Sequence, residues 1–137
     1  MKKGKNLTLH HIGIVVPDLS ESTEFFKKLL GINEVSFETL EDRGLKIALL
    51  RLPNVILELI SPARDSTSVD KFLKDRGGGL HHIALLTEDF DTFLSIIKDS
   101  GIRIVDGPHK GVFSDRVIFL HPKDTKKVLI EIMEKKK

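Results

Sequence analysis

Cysteine is missing from this 137-residue chain. Disulfides and thiolate metal sites are therefore excluded, and any metal must be held by His, Asp and Glu. Glutamine is also missing and asparagine is scarce, while Lys and Glu are plentiful, a bias seen in proteins that work at high temperature. No apolar run approaches the ~18 residues that cross a bilayer, so no membrane span is expected. The basic start MKKGKNLTLHH lacks the apolar stretch of a signal peptide, which makes a cytoplasmic protein the expectation. Net charge is only +2 and the charges are spread along the chain, which excludes an electrostatic case for nucleic acid as a partner. Hydrophobic residues make up 40%, enough for one compact domain or two tightly joined halves.

What is present is a repeat. Leu9-His10-His11-Ile12 occurs again as Leu80-His81-His82-Ile83. The longer copies read LHHIGIVVPDLSESTEFFKKLLGI and LHHIALLTEDFDTFLSIIKDSGI. Each has a β-branched or apolar stretch, then acidic residues, an amphipathic segment and a glycine. Two copies are too few for a solenoid and predict two similar modules about a pseudo-twofold axis.

The first module, residues 8–60, predicts a strand over Thr8–Val16 and a helix entered through Asp18 and closed by Gly31. Leu19, Phe25, Phe26, Leu29 and Leu30 carry its helical spacing. Strands follow over Val35–Leu40, Leu45–Leu52 and Val55–Ile60. Residues 61–79 are the linker, with a short helix over Ser66–Lys74 and a flexible joint at Arg76–Gly79. The second module, residues 80–133, predicts a strand over Leu80–Thr87 and a helix over Glu88–Ser100 with Phe90, Phe93, Leu94 and Ile97 inward. Strands over Ile102–Val105, Arg116–Leu120 and Val128–Met133 complete it, with a loop over 106–115. Residues 1–6 and 134–137 read as tails. The fold class is α+β: two tandem βαβββ modules in a single domain over 1–137.

Four polar residues stand where strands should be apolar. His11 and His82 are the second histidines of the repeat; Glu58 interrupts VILELI and Glu131 interrupts VLIEIM. A carboxylate flanked by apolar residues in mid-strand is costly unless compensated. His11 precedes Glu58 by 47 positions and His82 precedes Glu131 by 49, so each module supplies one His from its first strand and one Glu from its last. Alternation puts His11 on the face of Gly13 and Val15, and His82 on that of Ala84 and Leu86. His11, Glu58, His82 and Glu131 together form a donor set for one divalent metal such as cobalt, nickel, manganese, iron or zinc. The bland reading makes each histidine a hydrogen-bonded core residue and each glutamate an outward-facing edge residue. Repetition at matching places weighs against it. His10 and His81 fall on the opposite face and read as structural, while His109 and His121 read as loop residues. The lysines at 123, 126, 127 and 135–137 read as solvated surface charge.

LHHIGIVVPDL, ELISPARDSTSVDKFLKDRGGGLHHIA and VIFLHPKDTKKVLIEI resemble, in order, signature segments of the methylmalonyl-CoA epimerases. These belong to the vicinal oxygen chelate superfamily, with glyoxalase I and the extradiol dioxygenases. The resemblance covers about residues 8–133. It implies a glyoxalase-like fold, a homodimer, an acyl-CoA substrate and a divalent metal, cobalt first, bound by His11, Glu58, His82 and Glu131. It also implies epimerisation at an α-carbon by a pair of acid/base groups, for which Glu131 is the first choice and Glu58 stands in as the second. A second glutamate used by one form of that mechanism corresponds to Ile47 here. The His/Glu/His/Glu set is also that of bacterial glyoxalase I, so isomerisation of a hemithioacetal is the alternative. A metal-free binding protein of the same fold is the third reading.

Overall fold

The structure, a computed structural model, describes residues 7–136. The expected tail over 1–6 and Lys137 lie outside the described residues. The elements run β1 (Leu7–Val15), α1 (Leu19–Leu30), β2 (Val35–Leu40), β3 (Leu45–Arg51), β4 (Ile56–Pro62), α2 (Ser68–Arg76), β5 (Gly79–Thr87), α3 (Phe90–Ser100), β6 (Ile104–His109), β7 (Val117–Leu120) and β8 (Ile130–Glu134). The order βαβββ thus occurs twice, with α2 between the copies. No helix among the described residues is long and apolar enough to cross a membrane.

The chain divides into two compact units, one holding His11–His81 and the other the described residues up to His10 and from His82 onward. In the His11–His81 unit, β4 lies between β1, which it pairs in parallel, and β3, which it pairs antiparallel. β2 is antiparallel to the far side of β3. Val16, Ile32, Ala48, Leu50 and Leu59 form the buried core, with Leu19 and Phe26 of α1 and Ile14 of β1 packed on it. Ala48, Leu50, Leu57 and Leu59 share one sheet face because side chains alternate.

The Asp18 carboxylate accepts from the Glu21 N–H at 3.0 Å, and Gly31 closes α1 at φ 66°. Helical spacing over-predicts its packing, however. At ~100° per residue, Phe25 and Leu29 point about 120° and 80° away from Leu19. They remain 57% and 63% exposed.

The other unit repeats the plan. β8 pairs in parallel with β5 and antiparallel with β7, and β6 is antiparallel to β7. Phe90, Ile97, Ile118, Leu120 and Ile132 are buried, with Phe93 and Leu94 packed against them. The four expected α3 residues all face this core.

The linker run Arg76–Gly79, expected as a flexible joint, ends α2 and opens β5. A Cβ on Gly78, at φ 109°, would stand 2.8 Å from the Val15 carbonyl oxygen, so only glycine fits. The largest departure from expectation is β6. Residues 106–109 are strand rather than loop. Pro108 lacks an N–H, but β6 is an edge strand, where a missing donor is tolerated. Register shifts flank Asp106, and Gly107 at φ 94° would place a Cβ 2.4 Å from the Val117 carbonyl oxygen. The Gly-Pro pair therefore makes an irregular edge instead of ending the strand. At the other end, Glu134 belongs to β8 rather than to a tail, and its carboxylate accepts from Arg116. Arg116 also donates to Asp91 of α3 at 2.7 and 3.1 Å.

Arg103 grips Asp124 with both its side chain (2.8 and 3.0 Å) and its backbone N–H (3.0 Å). The guanidinium hydrogen bonds, followed by the backbone one, hold the Asp124 carboxyl well below the usual carboxylate range. A carboxylate depressed on folding adds stability above its unfolded pKa of about 4, and that stability is lost as pH falls toward the folded value. Asp124→Asn should therefore melt below the parent at pH 7, with the gap narrowing as pH is lowered through about 4. Melting curves that stay the same distance apart from pH 7 to pH 3 would reject this linkage.

Candidate metal centre

Strand register explains each His–Glu pair. In the His11–His81 unit, Glu58 stands opposite Gly13 of β1 and Leu49 of β3. His11 is two residues before Gly13 and so lies on the same face as Glu58. Its Nε2 is 3.8 Å from Glu58 Oε1, and the residues are 1% and 6% exposed. Ile47 pairs with Ile60 in the same register, so both share this face, and both are buried.

The other unit reproduces the arrangement. Glu131 stands opposite Ala84 of β5 and Phe119 of β7. His82, two residues before Ala84, brings Nε2 to 3.2 Å from Glu131 Oε1, with both residues buried. Gly13 and Ala84 are thus equivalent, as are Leu49 and Phe119. A small residue faces each carboxylate on the side of its histidine.

The geometry of the His82–Glu131 pair fits metal ligation. Two donors each about 2.1 Å from one cation stand roughly 3.0 Å apart at a right angle and about 3.4 Å apart at the tetrahedral angle. The His82–Glu131 separation falls in that interval; the His11–Glu58 separation is a few tenths of an ångström longer. Imidazole nitrogen and carboxylate oxygen suit divalent first-row metals. Buried acids of this kind need a compensating charge or hydrogen bonds, which a cation or the neighbouring imidazole can supply.

The remaining histidines separate from these pairs. His10 meets Phe113 at 4.6 Å between ring centres, and His81 meets Phe72 at 4.9 Å. His121 lies in the loop after β7, where its Nδ1 accepts from the Lys123 N–H at 3.2 Å. His109, expected in a loop, is on β6 with Nε2 3.0 Å from Asp106 Oδ2. Phe119 was not among the candidate residues. Period-two alternation from the core residues Ile118 and Leu120 would have put it on the Glu131 face.

A repeated βαβββ module with one buried His–Glu pair in each copy defines a glyoxalase-like α+β protein. The sequence profile of the Glyoxalase/Bleomycin resistance protein/Dioxygenase superfamily matches residues 10–119, and the chain belongs to that superfamily. The human mitochondrial methylmalonyl-CoA epimerase is 34% identical over 126 residues, which are 90% of this chain and 72% of the relative. An ethylmalonyl-CoA/methylmalonyl-CoA epimerase of Cereibacter sphaeroides is 32% identical over 90% of this chain and 95% of its own. Among solved structures, a variant of the Streptomyces coelicolor methylmalonyl-CoA epimerase in complex with 2-nitronate-propionyl-CoA superimposes with a TM-score of 0.88. It is 35% identical, and the match covers 96% of this chain and 99% of that one.

Proposed function

We propose that this protein epimerises methylmalonyl-CoA at the α-carbon. His11, Glu58, His82 and Glu131 hold one divalent cation, cobalt first, with nickel, manganese or zinc as substitutes. The observation that carries the reading is the doubled pair: a buried carboxylate beside a buried imidazole at matching register positions in both halves. Relatives named as methylmalonyl-CoA epimerases support the substrate.

The α-hydrogen of methylmalonyl-CoA is acidified by a thioester carbonyl on one side and a carboxylate on the other. A cation bound by the four residues would stabilise the negative charge that develops when this proton leaves. The Glu131 carboxylate takes the proton from one face of the α-carbon. Glu58, which enters the step protonated, gives that proton to the opposite face, which inverts the centre and leaves Glu131 protonated for the reverse direction. Two acid/base groups on opposite sides perform inversion without the substrate turning over. His11 and His82 orient the acids and contribute nitrogen donors. A homodimer accompanies this reading, as the family resemblance implies, and the cytoplasm is its proposed location; sedimentation velocity distinguishes dimer from monomer.

The test couples metal analysis to α-proton exchange. Protein loaded with Co²⁺ is expected to incorporate deuterium at the α-carbon of methylmalonyl-CoA in D₂O. Chelator treatment should abolish the exchange, and added Co²⁺ should restore it. Absence of exchange, with conversion of methylglyoxal plus glutathione instead, would move the protein to the glyoxalase I reading. No stoichiometric cation and neither reaction would leave the metal-free binding protein.

A further inference from the structure

We infer that Phe119 is a positioning residue that fixes the His82 imidazole for the cation. This rests on the cation reading above and adds a residue to it. Phe119 is the cross-strand partner of Glu131 between β7 and β8, so its side chain shares the face of that acid. Its ring meets the His82 ring at 82°, with centres 5.6 Å apart. It therefore touches one member of the pair and flanks the other. The same ring lies 6.5 Å from His109 at 33°. His109 is itself tied down, with Nε2 3.0 Å from Asp106 Oδ2 and Nδ1 3.0 Å from the Lys110 carbonyl oxygen.

The internal repeat supplies the comparison. The equivalent position opposite Glu58 is Leu49, which has no ring to offer. The pair whose acid stands opposite Phe119 is the tighter one, 3.2 Å against 3.8 Å for the pair whose acid stands opposite Leu49. An edge-to-face contact is directional, because the positive ring edge seeks the negative ring face. It limits rotation of the imidazole about χ2, the freedom that would swing Nε2 away from Glu131. Aliphatic packing at position 49 excludes water but does not set a ring angle.

Phe119→Leu, which copies the other half, tests this by calorimetric titration of the apoprotein with Co²⁺. Affinity is expected to fall about tenfold, the lower end of what losing an outer partner of a ligating histidine causes. Phe119→Tyr, which keeps the ring, should bind Co²⁺ within about twofold of the parent. A purely structural role would lower the melting temperature of the apoprotein and leave Co²⁺ affinity alone, and that result would overturn the inference. Equal loss in the Leu and Tyr variants would overturn it too. Should Phe119→Leu fail to fold, Phe119→Met is read by the same criteria. A parent protein that binds no cation would reject the cation reading itself, a result distinct from a parent that binds and a Leu variant that binds equally well.

Discussion

Glu131→Gln should lower the epimerisation rate by about 10²–10⁴-fold, the range expected when a positioned general acid/base is lost. The substitution keeps the shape of the side chain and one oxygen, but removes the negative charge and the proton acceptor. Glu131 is buried, 3.2 Å from His82 Nε2, and is held from both sides by the register of β5 and β8 and of β8 and β7. That placement leaves little room for another group to take over. Cation affinity should fall as well, because a neutral amide is a poorer donor than a carboxylate. Folding should not suffer: removing a buried charge relieves its desolvation cost, and the amide can still hydrogen-bond the imidazole. The apoprotein melting temperature is therefore expected to match the parent or exceed it. Rate, Co²⁺ titration and melting temperature measured on one preparation separate these effects. A variant retaining more than a tenth of parental turnover would remove Glu131 from proton transfer.

Much of this site is readable from the chain because strands have a period of two. Once Leu9–Ile12 and Leu80–Ile83 are recognised as one motif, alternation distinguishes His11 and His82 from His10 and His81. The interruption of two apolar strands marks Glu58 and Glu131. The fold is readable from its punctuation: Asp18 caps the first helix, and each copy has its own closing glycine, Gly31 or Gly101, while Asp89, which caps α3, falls inside the helix expected over Glu88–Ser100. Other features depend on contacts between distant segments. β6 crosses a Gly-Pro pair that reads locally as a break, and only pairing with Val117 and Phe119 shows it to be an irregular edge. The place of Phe119 beside His82 joins residues 37 positions apart and is set by the intervening β8. Phe25 and Leu29 satisfy the helical pattern, yet they lie off the stripe that meets the sheet.

Glu58→Gln should retain the cation and lose inversion. The amide oxygen remains a donor, though a poorer one than a carboxylate, so Co²⁺ affinity is expected to fall by no more than about tenfold; the lost proton carrier should reduce epimerisation by roughly 10²-fold or more. The argument turns on what surrounds Glu58. Family resemblance implies a second glutamate at the place of Ile47, but Ile47 is 1% exposed and shares the Glu58 face with Leu49 and Ile60, all apolar. Glu38, opposite Ile47 on β2, is two strands from Glu58 and exposed. Glu58 is therefore the acid that this unit buries beside a histidine, and the proposed two-sided chemistry needs it. With Glu131 intact, removal and return from a single face remain available to the variant. One enantiomer of methylmalonyl-CoA should still exchange its α-proton in D₂O, while conversion to the other enantiomer falls. Following deuterium content and configuration separately reads the two events. Unchanged racemisation starting from both enantiomers would show that Glu58 carries no proton, and the second acid/base would have to come from elsewhere in the chain.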